Sequence, residues 1–267
     1  MGQPDGLAGN ESGSTKLRRT AVSGGVAMKP GQFGQLREAF VDFRYRLRRD
    51  GAGSLLRLGR KVVEFWNRPQ SVSEFDREFD TDTEKNVPLW RLNIDSANRT
   101  QGIRYQSLAP ILIRNAIEAL PADLNNFSFC DLGSGKGRVL MVASEYPFKE
   151  VIGVEFSHEL HIIANNNLRK YRSRKQARST VSTLHLDAAN YRFPSGNLVI
   201  FLFNPFGESV LRSVLANLER ALIQEPRAVW IIYFNAVFAS VIEESFLFTR
   251  VEAAIPAAVF RHEATAI

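Results

Sequence analysis

A chain of 267 residues, 45% hydrophobic and 10% aromatic, has length for one large domain with an appendage or for two small ones, and its apolar content excludes a disordered polymer. Its one cysteine, Cys130, excludes an internal disulfide and a cysteine-rich zinc site, and its longest apolar runs, Leu198–Phe203 and Ala228–Phe234, fall far short of a membrane span. The net charge of +6 sits entirely in the first quarter: residues 1–70 hold 13 Lys/Arg against 6 Asp/Glu, the remainder 21 against 22.

Residues 1–31 are rich in Gly, Ser, Thr and Pro and read as a flexible basic tail. From Phe33 the pattern becomes helical. Phe33, Leu36, Phe40, Phe43 and Leu47 share one face up to Asp50-Gly51, and Leu55, Leu58, Val62 and Phe65 form a second amphipathic segment that stops before Pro69. This basic quarter reads either as a solubilising arm or as a surface for an acidic partner, and its helices either pack on their own domain or meet a partner or membrane. Residues 71–104 are charged and lack periodicity; within "SEFDREFDTDTEKN" the side chains of Phe75 and Phe79 are placed to tuck into a neighbouring surface. A helix is predicted over Ser107–Leu120, closed by Pro121. The expected organisation is therefore a tail (1–31), a helical N-terminal extension (32–104) and one main domain (105–267).

In the main domain strands and helices alternate. Strands are predicted at Phe127–Leu132, Glu150–Glu155, Val181–Leu186, Leu198–Phe203 and Ala228–Phe234, with closing strands at Phe246–Val251 and Ala257–Arg261. Helices are predicted at Arg138–Glu145, from His158 to about Tyr171, and at Ser209–Ile223. This rhythm makes a doubly wound α/β sheet the default.

In such a sheet ligands bind beyond the carboxyl ends of the strands. "FCDLGSGKGRVL" lies where the first strand turns into its helix, and Gly133, Gly135 and Gly137 let the backbone turn tightly and approach a ligand. A dinucleotide fingerprint needs G-x-G-x-x-G, but the position of its last glycine is Arg138; a phosphate-binding P-loop fails because Gly137 follows Lys136. This argues against a nicotinamide oxidoreductase. Asp131 at the head of the loop would repel a pyrophosphate and suits a cationic ligand.

D-x-G-x-G-x-G after a strand resembles the cofactor signature of class I S-adenosylmethionine-dependent methyltransferases. Further features stand in matching order: Glu155 ending "VIGVEF" twenty-four residues after Asp131, Asp187 in "LHLDAANY", and "FLFNPFG" after the fourth strand, similar to the [DN]-P-P-[FY] motif of amino-group methyltransferases. "DLGSGKGRVL" with "GVEFS" is particularly similar to the branch holding the non-SET histone-lysine methyltransferases. The resemblance covers about residues 105–262 and implies a Rossmann-like, mostly parallel seven-stranded sheet binding S-adenosyl-L-methionine. It implies a cofactor site of Tyr105, Asp131, Gly133, Ser134, Gly135, Gly137, Glu155, Phe156, Asp187, Ala188 and Asn204, with Glu155 on the ribose hydroxyls and Asp187 near the adenine amine. It implies methyl transfer at Asn204, Pro205 and Phe206, where the Asn oxygen and Pro carbonyl hold an acceptor NH₂. The second Pro of the motif is absent, so Phe206 stands one place early. The alternative roles are structural: Asp131 capping its loop, Glu155 favouring the next helix, Asp187 serving as a turn residue, and Asn204-Pro205 capping the helix that follows.

No third metal ligand accompanies His158 and His161, and no metal is expected; His185 is read as a satisfied strand residue and Cys130 as a small buried hydrophobe. "RKYRSRKQAR" (169–178) is either a solvated helix end or a phosphate contact. The leading reading is a cytoplasmic methyltransferase acting on a nitrogen of a protein or other macromolecule. The alternative is a non-catalytic module of the same fold that binds nucleic acid or an acidic partner through its basic N-terminal region.

Overall fold

The computed structural model describes residues 72–263 other than 89, 90, 174, 176 and 178. The basic tail, the two helices predicted between Phe33 and Phe65, and three positions of the 169–178 run lie outside the described residues. The described residues belong to one compact unit.

Seven strands form its sheet: β1 (Phe127–Leu132), β2 (Glu150–Glu155), β3 (Thr180–His185), β4 (Asn197–Phe203), β5 (Val229–Phe234), β6 (Thr249–Val251) and β7 (Ala257–His262). Their order is β3-β2-β1-β4-β5-β7-β6. The first five are parallel, and β7 runs antiparallel to both β5 and β6. The helices are α1 (Glu74–Phe79), α2 (Pro110–Glu118), α3 (Arg138–Ala143), α4 (His158–Lys170), α5 (Glu208–Gln224) and α6 (Ala239–Glu243). This is the mostly parallel, doubly wound sheet that the sequence predicts.

Why β4 is an unbroken apolar run is visible in its packing. Leu198, Ile200 and Leu202 join one core with Val210, Val214 and Leu218 of α5, while Val199 and Phe201 join a second core with Ile113 and Ile117 of α2 and Leu140 of α3. Both faces of a pleated strand are thus covered, and alternate residues feed different layers. Helix α4 starts where the Ser157 hydroxyl accepts the Leu160 N–H at 3.3 Å, and carries Arg169 and Lys170 in its last turn, matching the helix dipole. At the sheet's edge β3 reads "TVSTLH"; its polar, exposed positions discourage pairing with another chain.

Three elements differ from the sequence reading by two residues or more at an end. Helix α2 begins at Pro110 rather than Ser107, because the residue before a proline is steered to extended backbone, and Ala109 has φ −61° and ψ 133°. Helix α3 stops at Ala143. Strand β6 begins only at Thr249, leaving Phe246 outside it and 94% exposed.

Residues 72–104 pack within the same unit as the sheet. Ser73 caps α1, its hydroxyl accepting the Asp76 N–H at 3.2 Å. Phe75 and Phe79 do tuck into a neighbouring surface: their rings lie 5.8 and 4.5 Å from that of Tyr171, between centroids.

Candidate functional site

β1 lies between β2 and β4, so the order of strands reverses there and the connecting loops diverge to leave a crevice at the carboxyl ends. Asp131 stands opposite Gly153 in register, and Glu155 is the last residue of β2. By the strand alternation both carboxylates fall on the side of the sheet shared by Phe129 and Val151.

A cleft with about 750 Å³ of empty volume, its open mouth included, occupies this point. Gly133, Gly135, Glu155, Phe156, Asp187, Ala188, Asn204, Pro205, Phe206 and Tyr105 all line it. Asp131 and Ser134 line a smaller adjoining cavity that shares Tyr105, Gln106, Gly133 and Phe203 with the cleft. Gly137 lies outside both, at the start of α3 against Ala164.

The glycine turn is used by the chain itself. Gly133 and Gly135 have φ of +84° and +54°, a region that side chains strain to enter. A Cβ on Gly133 would stand 2.2 Å from Cβ of Pro205, and one on Gly135 2.3 Å from Cε2 of Tyr105. Motif residue Pro205 and the Tyr105 ring therefore press directly on the bare backbone.

Both strand-end acids are buried. Glu155 accepts the N–H of Gly135 on one oxygen and that of Ser157 on the other, each at 2.8 Å. Burial nevertheless pushes its carboxyl up to about 7, with these backbone bonds pulling the other way. The Asp131 carboxyl is raised well above its usual range, first by burial and then by the charge of Glu155. Oδ2 of Asp131 and Oγ of Ser134 are buried with no hydrogen-bond partner among the described residues.

A raised folded-state pKa means the folded chain holds its proton more tightly than the unfolded one. The contribution of Glu155 to stability is then complete below its ordinary value of 4.5 and lost as pH climbs through about 7. The loss amounts to roughly 3 kcal/mol. Urea unfolding at pH 5 and pH 8 should show this decline, and Glu155→Gln should lessen it, with the raised Asp131 carboxyl accounting for the remainder; an undiminished decline in Glu155→Gln would assign it elsewhere.

Both oxygens of Asp187 accept from its own chain. One oxygen accepts the Ala189 N–H at 2.9 Å, the other the Ser96 hydroxyl at 2.5 Å and the Asn98 amide at 2.9 Å. It thus closes the turn Ala188–Asn190 and fastens the loop around Ser96 while lining the cleft. Asn204 adopts the left-handed φ of 41°, with its side-chain oxygen accepting the Tyr233 hydroxyl at 3.3 Å. The Pro205 carbonyl accepts the Ile103 N–H at 3.2 Å, and Gly207 donates to Gln101 at 2.7 Å, so residues 101–103 pair with the "NPFG" backbone. Phe206 is 7% exposed and packs into the core beneath α5.

Several residues beside the site carry no sequence signal that singles them out. Lys136 is 1% exposed and donates to Asp82 at 3.1 Å; burial lowers its pKa. The buried Arg138 donates to Thr83, Ser73, Glu84 and the Leu108 carbonyl. The one hint was the acid-rich "SEFDREFDTDTEKN", whose acids these cations meet. His185 also joins His158 and His161, with ring centroids 5.2 Å and 5.7 Å away. Among the described residues no group of three His, Cys, Asp or Glu is placed to hold a metal ion, and no helix is long and apolar enough to cross a membrane.

No family model matches the chain, and no curated protein matches it. Among solved structures it is similar to an RNA methyltransferase from Salinibacter ruber in complex with S-adenosyl-L-homocysteine, at 17% identity over 60% of this chain and 94% of that one, TM-score 0.38. It is similar to a ribosomal protein L11 methylase from Lactobacillus delbrueckii subsp. bulgaricus, at 13% identity over 58% and 77%, TM-score 0.38. A third is a putative S-adenosyl-L-methionine-dependent methyltransferase from Methanococcus maripaludis, at 14% identity over 59% and 85%, TM-score 0.41. Function rests on this chain's own residues.

Proposed function

We propose that this chain is an S-adenosyl-L-methionine-dependent methyltransferase acting on a nitrogen of a protein or other macromolecule. The observation that carries the reading is the pair of buried carboxylates at neighbouring strand ends, Asp131 and Glu155, beside a turn whose Gly133 and Gly135 leave the backbone bare, with one Asp131 oxygen left without a partner. A buried carboxylate oxygen without a donor is costly unless a ligand supplies one. The cofactor's ammonium group is such a donor, and its ribose hydroxyls suit Glu155, whose oxygens each hold one backbone N–H and keep further lone pairs.

The residues present therefore fit this cofactor. Asp131 and Ser134 would hold its amino-acid end, Glu155 the ribose, and Asp187 with Ala188 the base. When bound, the cofactor supplies a methyl group already activated on a sulfonium. What remains for the protein is alignment, which in well-oriented systems is worth roughly 7–11 kcal/mol. Asn204 lines the cleft, and its side-chain oxygen, which takes one bond from the Tyr233 hydroxyl, keeps a lone pair that would accept an N–H of the acceptor, aiming the nitrogen lone pair; Tyr105 and Phe156 would exclude water. The early position of Phe206 and its burial beneath α5 argue against an aromatic that stacks on a planar acceptor.

Titration calorimetry with S-adenosyl-L-methionine tests the reading, and absence of heat at millimolar cofactor would end it. Incubation with methyl-labelled cofactor and fractionated cell extract then finds the acceptor. Label in protein, released as methylated amine on hydrolysis, supports the full proposal; label confined to oxygen or carbon overturns the nitrogen assignment.

A further inference from the structure

Thr83 uses all of its polar groups beside the site. It is completely buried. Its N–H donates to both Asp76 oxygens at 3.0 and 2.9 Å, and its hydroxyl donates to Asp76 Oδ1 at 2.6 Å. The same hydroxyl oxygen accepts Nε–H of Arg138 at 2.7 Å, and the Thr83 carbonyl accepts the Tyr105 hydroxyl at 2.7 Å. Every polar group of one residue is thereby used to join α1, the first residue of α3 and the aromatic wall of the cleft.

The geometry matters because of what Tyr105 touches. Its ring lies where a Cβ of Gly135 would be, and it lines both the cleft and the cavity holding Asp131. Its backbone N–H donates to the Val87 carbonyl at 3.1 Å, so both ends of the residue are tied to the 83–87 segment. Arg138 follows the glycine turn directly, and its guanidinium reaches Ser73 at 3.1 Å and Glu84 at 2.7 Å. The glycine turn is thus gripped from above by Tyr105 and from behind by Arg138, and both grips meet at Thr83.

We propose that Thr83 is a positioning residue for the cofactor site: its carbonyl holds Tyr105 on the glycine turn, its hydroxyl locks that hold to Arg138, and docking of residues 73–87 is thereby coupled to cofactor binding. The inference rests on the reading under Proposed function. It predicts that Thr83 contributes to affinity beyond its contribution to stability, because the wall of the cleft moves when Thr83 releases it.

The test measures the dissociation constant of S-adenosyl-L-methionine by calorimetry at a temperature well below every variant's melting midpoint. Thr83→Val keeps the branched shape and removes the hydroxyl; affinity is expected to fall roughly tenfold, the scale of a lost hydrogen bond to a charged group. Thr83→Ser restores the hydroxyl and is expected within about twofold of the parent chain. Tyr105→Phe keeps the ring, removes its bond to Thr83, carries the test should Thr83→Val not fold, and is expected to weaken binding several-fold. Because the two act as one unit, the double variant should lose less than the two single losses combined. A parent chain that binds no cofactor overturns both this proposal and the methyltransferase reading. A parent that binds, beside a Thr83→Val that melts lower yet binds equally well, overturns this proposal alone, as do strictly additive losses or a Thr83→Ser as weak as Thr83→Val.

Discussion

Asp131→Ala is expected to bind S-adenosyl-L-methionine roughly 30- to 5,000-fold more weakly than the parent chain, the range for removing one partner of a buried, hydrogen-bonded charge pair. The carboxyl is 3% exposed, is pushed toward its neutral form by burial and by Glu155, and leaves Oδ2 without a donor. An acid in that state weakens the folded chain in the absence of ligand. Asp131→Ala should therefore melt no lower than the parent while losing its ligand. If Asp131 instead only capped the glycine turn, the substitution would lower the melting midpoint. Calorimetry beside a thermal melt separates the two, and full affinity in Asp131→Ala would remove the central support of the methyltransferase proposal.

Arg138→Leu is expected to lose stability, by about 3–5 kcal/mol, because it strands the groups that a buried guanidinium satisfies. Asp76, 4% exposed, stands 3.7 Å from the Arg138 guanidinium, and Thr83, Ser73, Glu84 and the Leu108 carbonyl all take its hydrogens. The Phe75 ring lies 5.3 Å from the guanidinium carbon, adding a cation–π contact. For a unit of about 200 residues such a loss lowers the melting midpoint by roughly 6–20 °C. A change of only a degree or two would mean that water replaces the guanidinium without penalty. Arg138→Lys should recover little, since a single ammonium cannot span four acceptors arranged for a planar fork.

The sheet was legible where one short segment decides its own structure. Phe127–Leu132 and Glu150–Glu155 coincide with β1 and β2, and the alternation of β4 and the stripe of α5 each follow from their own residues. The strand-end acids and the glycine turn were legible for the same reason: a turn's requirement for bare backbone is written in adjacent letters. What stayed hidden depends on pairs far apart in sequence. Arg138 could be seen to spoil a dinucleotide fingerprint, but not to meet Thr83 fifty-five residues earlier. Nothing in "NPFG" shows that Ile103 donates its N–H to the Pro205 carbonyl, or that Asp187 binds Ser96 and Asn98. The histidine trio was missed because His185 belongs to β3 and its companions to α4.

Cys130 lies in the middle of β1, wholly buried, with its sulfur 3.5 Å from the Tyr191 hydroxyl and its thiol pushed up to about 12 by burial. Since the thiolate is the reactive form, alkylating reagents and peroxide meet an inert sulfur in the folded chain. As the sequence holds no other cysteine, the rate at which a maleimide labels this protein counts how often the centre of its sheet opens, and a tight ligand should slow that clock in proportion to its occupancy.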